Sequence, residues 1–245
     1  MKRRFIMGVM ASLLVLSTSW WANKALVTPT HPEPLSLSSA IHTVRVSGKV
    51  RVRIYETQHP QISGERLNLK RSVQGNEIKL SSKDPITFDL GLSHLDLLQG
   101  TGNAQVSAYV HNGAQLVIDL ADCASVTLTG KPNIAKLSLR GQSQLKALSL
   151  ASSDVDVHVK NLARVRVAGA AENLTVKLLN QAFFDATGLS VNHAWVSTSG
   201  QSVAHLGKIH TMRAYANERG EVFSYQRPAH LSQKSEGQAN ILNIN

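Results

Sequence analysis

The chain has 245 residues, 42% hydrophobic, 17% charged and only 5% aromatic, so it should fold as one or two domains with cores of Val, Leu, Ile and Ala. A single cysteine, Cys123, excludes an internal disulfide framework and a cysteine-rich zinc site. The net charge is +10, but four bases and no acid lie in the first 25 residues, so the remainder carries 22 bases against 16 acids, or +6. That mild excess suits anionic surfaces through diffuse electrostatics. It argues against nucleic acid, because no basic cluster alternates with aromatic stacking platforms.

Residues 1–25 read as an export segment. Lys2, Arg3 and Arg4 precede an apolar run from Phe5 to about Leu16, and Ser17, Thr18 and Ser19 come next. This is the layout of a signal peptide. Ala22 and Ala25 are the candidate cleavage positions. The rival reading is an uncleaved inner-membrane anchor over residues 5–22, with Trp20-Trp21 at the interface. Both readings place residues 26–245 outside the cytoplasm, in the periplasm, on the outer surface or secreted. No cysteine stands near residue 20 to carry a lipid. In that oxidising setting Cys123 is expected to be a small buried hydrophobe. Residues 26–40, with three prolines among Ser and Thr, read as an extended linker.

Residues 41–103 are β-rich and irregular, and are expected to cap the regular region downstream. Ile41–Ile54 alternates around Ser47-Gly48-Lys49, as a hairpin or a first coil would. Gln74-Gly75-Asn76 marks a second turn, between Leu67–Val73 and Glu77–Leu80. Residues 81–100 read as a surface insertion that includes the apolar stretch Phe88 to Leu98.

From about residue 104 the chain repeats every 19 or 20 residues. Apolar pairs two apart, the spacing of a strand with one buried face, occur at Val106/Ala108, Val126/Leu128, Leu145/Ala147, Val165/Val167, Phe184/Ala186, Val203/His205 and Val222/Ser224. A second series lies half a period away: Ile118/Leu120, Leu137/Leu139, Val157/Val159, Val176/Leu178, Val196/Thr198 and Tyr215/Asn217. Two ladders of turn residues share the period. One is Gly130, Gly169, Gly188 and Gly207; the other is Asp122, Gly141, Asn161, Asn180 and Gly200. Gly, Asn and Asp tolerate left-handed backbone, so both ladders predict corners. A coil this short cannot bury its own apolar residues, whereas stacked coils share a continuous core. The expected fold is therefore all-β, a parallel β-solenoid of about 19–20 residues per coil over 104–245, behind the less regular cap at 41–103. The structural rival is an antiparallel meander.

Taken together, the export signal, the alternating opener Ile41–Ile54, the run Val73–Leu80, the glycine-rich corners, Tyr225-Gln-Arg-Pro228 and Glu236–Ile241 resemble the head GIN domain family of bacteria, a putative auto-transporter adhesin domain. The resemblance covers about residues 41–245. It implies a β-helical fold and an extracytoplasmic place, and it carries over no catalytic or binding residues. This chain departs from the family's Gly-Ser-Gly corners at Gln142-Ser143, Ser152-Ser153, Ala170-Ala171 and Asn217–Arg219.

The candidate chemistry is sparse. His205 shares a predicted inward column with Leu128, Val167 and Ala186 and reads as a buried, hydrogen-bonded histidine. His158 should face outward beside Asp154 and Asp156, a weak cation trio. The remaining carboxylates are scattered, where a glycan-cleaving β-helix would need an aligned pair. No nucleophile elbow, zincin helix or phosphate loop is present. No catalytic, cofactor or metal residue is therefore assigned, and no cofactor is expected. Outward cations remain: Arg164 and Arg166 flank Val165, and Lys146 lies near the same column one coil away. These three are the surface-binding candidates, for an anionic glycan, lipid or envelope surface. The expected function is that of a non-enzymatic adhesin or envelope scaffold with a repetitive surface, able to self-associate through its ends and to meet a membrane only through an uncleaved N-terminus. The alternative is an extracellular carbohydrate lyase or hydrolase.

Overall fold

A computed structural model describes residues 34–64, 69–111 and 113–244. The expected export segment and the linker up to residue 33 lie outside the described residues. The strands in chain order are β1 (Leu35–Ser36), β2 (Thr43–Glu56), β3 (Gln61–Gly64), β4 (Lys70–Gln74), β5 (Glu77–Leu92), β6 (Leu97–Thr101), β7 (Gln105–Val110), β8 (Leu116–Leu120) and β9 (Ser125–Gly130). They continue with β10 (Ile134–Leu139), β11 (Gln144–Lys160), β12 (Arg164–Leu179), β13 (Phe183–Thr198), β14 (Val203–Ala216), β15 (Glu221–Ser224), β16 (His230–Ser235) and β17 (Asn240–Asn243). The described residues contain no helix.

The fold is the expected parallel β-solenoid. One side of the stack runs β2, β6, β8, β10, then the second halves of β11, β12, β13 and β14, and ends in β16. The other side runs β2, β7, β9, the first halves of β11 to β14, then β15 and β17. A short third side joins them in the middle coils, where Leu150–Ser152 pair with Gly169–Ala171 and these with Leu189–Val191. Inward columns fill the centre. Leu98, Ile118, Leu137, Val157, Val176 and Val196 are each fully buried, as are Val126, Val165, Phe184 and Ala204 on the facing side.

The corner between the two sides is a ladder of left-handed residues. Gly102, Asp122, Gly141, Asn161, Asn180, Gly200, Glu218 and Gly237 all have φ between 59° and 77°. All five residues of the second predicted ladder are in it. Successive corners are tied through the backbone, as in Cys123 N to Gly102 O (3.0 Å) and Gln142 N to Asp122 O (2.6 Å). The Asn180 amide also donates to Asn161 Oδ1 at 2.8 Å. In the first predicted ladder only Gly130 (φ 89°) and Gly169 (φ 126°) have positive φ. Gly207 answers to a different demand: a Cβ there would lie 2.2 Å from Thr187 O, so the coils are too close for a side chain.

Four expectations need correction. His205 is not inward. It pairs with Asp185 in an outward column, and Ala204 and Leu206, both 0% exposed, occupy the inward one. Tyr215 is outward for the same reason, with Ala214 and Ala216 inside. The corner steps are 20 residues from Asn180 to Gly200 and 18 from there to Glu218, so a constant 19 slips the register by one. Residues 81–100 are not an insertion. Most belong to β5, which pairs in parallel with β2 and buries Phe88, Leu90 and Leu92; Leu98 is buried in β6. The strand absorbs Asp84-Pro85 in a register shift opposite Gly48 to Val50. Cys123 is exposed rather than buried, because it comes directly after the left-handed Asp122 on the outside of a corner.

The start of the stack is out of chain order. β5 lies on one edge of β2, while β6 and β7 lie on the other, so the chain crosses β2 between Leu92 and Leu97. Residues 41–54 are thus a rung bent at Gly48 (φ 81°), not a hairpin. Of the segment 41–103 expected to cap the stack, β2, β5, β6 and β7 are themselves parallel rungs, and β3 and β4 pair antiparallel with the outer edge of β5. The turn at Gln74-Gly75-Asn76 joins β4 to β5, with Gly75 at φ 58°. Leu35–Ser36, inside the expected linker, adds a further antiparallel pair to β3.

Candidate functional site

Register decides what the outer surface offers. On the side formed by β7, β9 and the first halves of β11 to β14, one outward column reads Ser107, Thr127, Lys146, Arg166, Asp185, His205. The adjacent column reads Gln105, Ser125, Gln144, Arg164, Phe183, Val203. Rungs are about 4.8 Å apart, so neighbours in a column are in side-chain reach. The three sequence candidates Lys146, Arg164 and Arg166 therefore come together on two consecutive coils. They line a shallow depression of about 360 Å³ with Ser125, Thr127, Gln144, Phe183 and Asp185. Small residues on one coil next to long ones on the next create the hollow.

The charges in it are not equivalent. Arg166 Nε is 3.2 Å from Asp185 Oδ2, which fixes that guanidinium. Lys146 and Arg164 are exposed and form no ion pair among the described residues. Phe183 bounds the hollow as a half-buried ring and continues into an outward aromatic row. His205 lies 5.4 Å from Phe183 and 5.1 Å from Phe223 between ring centres, and its Nδ1 is 3.0 Å from the Tyr225 hydroxyl. Sequence reading missed Gln144, Phe183 and Asp185 as partners, although their positions one repeat apart were the available signal.

Carboxylates elsewhere are engaged by neighbouring bases, amides and hydroxyls. Asp154 accepts from the Asn173 amide at 2.9 Å, and Asp156 is 3.0 Å from His158 Nε2. The expected trio thus splits into two separate pairs. Arg53 forms a two-pronged pair with Asp89 (2.5 and 2.8 Å), and the hydrogen bond with that carboxylate, helped by its charge, raises the Arg53 pKa. Arg140 reaches Asp119 at 2.9 Å. Glu236 accepts from Lys234 and Tyr215, and these hydrogen bonds hold its pKa below the ordinary carboxylate value.

A second cluster lies at the crossover near the cap. His42 precedes β2, and His94 and Asp96 lie in the segment between β5 and β6. Their ligand atoms fall within 4.8 Å of one another. The spacing of 52 residues between the histidines gave no signal in the sequence.

The family described as "Putative auto-transporter adhesin, head GIN domain" matches residues 43–228, most of the chain. The chain belongs to this family. Solved structures support the same fold for this head GIN domain. A putative adhesin from Parabacteroides merdae is 15% identical, with a TM-score of 0.77 over 87% of this chain and 95% of that one. A putative adhesin from Parabacteroides distasonis is 14% identical, with a TM-score of 0.78 over 86% and 95%. A putative lipid binding protein, also from P. distasonis, is 13% identical, with a TM-score of 0.76 over 89% and 98%. No curated protein sequence matches the chain significantly. The head GIN domain is thus an adhesin-family β-solenoid, and nothing in these matches supports the carbohydrate-cleaving alternative.

Proposed function

We propose that this head GIN domain is a non-catalytic, extracytoplasmic binding module whose hollow around Lys146 and Arg164 takes an anionic glycan. The observation that carries the reading is two exposed cations, without an ion pair among the described residues, beside a half-buried aromatic ring in a polar depression. Cations pair with carboxylate or sulfate groups, Gln144 and the Ser/Thr hydroxyls can bond sugar hydroxyls, and Phe183 offers an apolar edge to a sugar ring. A shallow open site of this kind binds weakly, and adhesion gains strength from many copies on one surface. Engagement of the outward carboxylates by bases and amides favours binding over glycoside cleavage, which needs two of them acting together. The lipid reading suggested by one neighbour's name is the control in the test.

The test is binding of the purified protein to an immobilised uronic-acid or sulfated polysaccharide, alongside vesicles of anionic lipid. The polysaccharide should bind with an affinity that falls as salt rises, and Lys146→Gln with Arg164→Gln should weaken it about tenfold, or roughly 1.4 kcal/mol. Equal binding by the double variant, or binding to the vesicles alone, would overturn the assignment.

A further inference from the structure

We infer that His42, His94 and Asp96 form a binding site for a divalent transition metal, of which Zn²⁺ is the natural probe. Both imidazoles aim at one carboxylate. His42 Nδ1 is 2.8 Å and His94 Nε2 is 3.5 Å from Asp96 Oδ2, and the rings lie nearly parallel with centres 4.9 Å apart. Ligand atoms held on one ion by bonds of about 2.0–2.2 Å sit roughly 3–3.5 Å from each other, so His94 stands at the required separation from Asp96 and His42 needs to draw back from its 2.8 Å contact by about half an ångström.

The hydrogen bonds around the cluster make the case stronger than proximity does. Ser93 Oγ donates to the Ser39 carbonyl at 2.9 Å, so towards His94 Nδ1, 3.2 Å away, it can only accept. In the neutral tautomer that donates from Nδ1 to Ser93, His94 Nε2 is bare and presents its lone pair beside the carboxylate, as a metal ligand must. Two such electron-rich atoms repel unless a cation, a proton or a metal ion, lies between them. Asp96 Oδ1 is also shut off from water without a hydrogen bond to the protein, and His42 Nδ1, equally shut off, has only its close contact with Asp96 Oδ2. Buried polar atoms of this kind call for a partner. On metal binding the His42 proton moves to Nε2, which is 3.4 Å from the Asn76 side-chain amide, and that amide can turn to accept it.

Two imidazoles with one carboxylate suit Zn²⁺, Ni²⁺, Cu²⁺ or Fe²⁺ far better than Ca²⁺ or Mg²⁺, which prefer all-oxygen shells. Three protein ligands at a half-exposed place leave at least one coordination position open. The location gives such an ion a structural consequence. The His42 carbonyl accepts from Asp96 N at 2.9 Å and the His42 amide donates to Asn76 O at 3.1 Å, so the cluster joins the starts of β2 and β6 to the turn before β5. A metal here would lock the out-of-order rungs of the cap together.

The experiment is titration of the purified full chain, free of any polyhistidine tag and stripped with chelator, with ZnCl₂ by calorimetry and thermal denaturation. The expected result is one Zn²⁺ per chain and a Tm rise of about 5 °C or more at a hundredfold excess over Kd. MgCl₂ should give no shift. His94→Gln and Asp96→Asn should each weaken binding at least tenfold, and Ser93→Ala, which removes the proton-holding partner, by about tenfold. His158→Gln should leave affinity unchanged. The half-exposed His94 makes its variant tolerable to the fold, and an unshifted metal-free Tm would confirm that. Absence of zinc binding, equal affinity in His94→Gln, or loss only in His158→Gln would overturn the site.

Discussion

Single residues are held here by two separate demands, and they can be told apart. Gly75 has φ 58° with nothing within 4 Å of a Cβ, so it answers only to backbone conformation. Gly169 has φ 126° and a Cβ there would sit 2.1 Å from Leu150 O, so it answers to conformation and to coil spacing. Gly75→Ala should cost about 1 kcal/mol, while Gly169→Ala should cost about 3 kcal/mol or more. Urea denaturation of both variants checks this, and equal costs would show that coil spacing is not limiting. Glu236 supplies a pH-dependent contact at the same scale. Its pKa is lowered from 4.5 by hydrogen bonds from Lys234 and Tyr215. Its contribution is therefore complete above pH 4.5 and is lost as pH falls through the lower folded-state value. Amide protection in β16, corrected for the intrinsic pH dependence of exchange, should fall in that acid window and stay level between about pH 5 and 8. The group is exposed, so the change should be confined to that last rung.

At the scale of elements, strand register decides which side chains matter. Leu206 is fully buried and His205 is outward, on adjacent positions of β14. Leu206→Ala should cost about 2–5 kcal/mol and His205→Ala under about 1 kcal/mol. Denaturant midpoints with matched m-values measure both, and the reverse order would restore the constant 19-residue register. The same one-residue logic produced the surface site. Lys146 and Arg166 are adjacent only because β11 and β12 pair without slip from Gln144 to Ala147. The shift after Ala147 then moves the third side independently of the first.

For the molecule as a whole, the two ends differ. Among the described residues, β3 and β4 cover the outer edge of β5, whereas β16 and β17 pair only with the rung before them. Were copies to associate through the described β16–β17 edge, each would present the same face. Contact between two like faces closes a two-fold dimer and cannot propagate into a filament. Sedimentation at rising concentration should show nothing larger than a dimer. A ladder of higher species would mean that the cap opens or that a side face associates. Lys234 and Glu236 near the open edge of that last rung place charge there, a common guard against uncontrolled pairing.

The solenoid, the two strand columns, the left-handed corner ladder and the three cations on the outer face were all legible in the amino-acid order alone. Each is a local pattern repeated at one period, and repetition makes a weak local signal readable. The remaining features needed the folded chain. In Val203-Ala204-His205-Leu206 both alternating pairs contain apolar residues, so local pattern is silent on which pair points inward; pairing to β13 settles it. Val203 stays outward although it is apolar, because its neighbour Ala204 fits the column of Phe184. The passage of the chain across β2 depends on contacts between segments far apart in sequence. No periodicity reports such contacts, because the backbone pairing that sets them is non-local. That crossing places His42 beside His94 and Asp96, and so the metal site proposed for this chain arises from the order of stacking rather than from any motif.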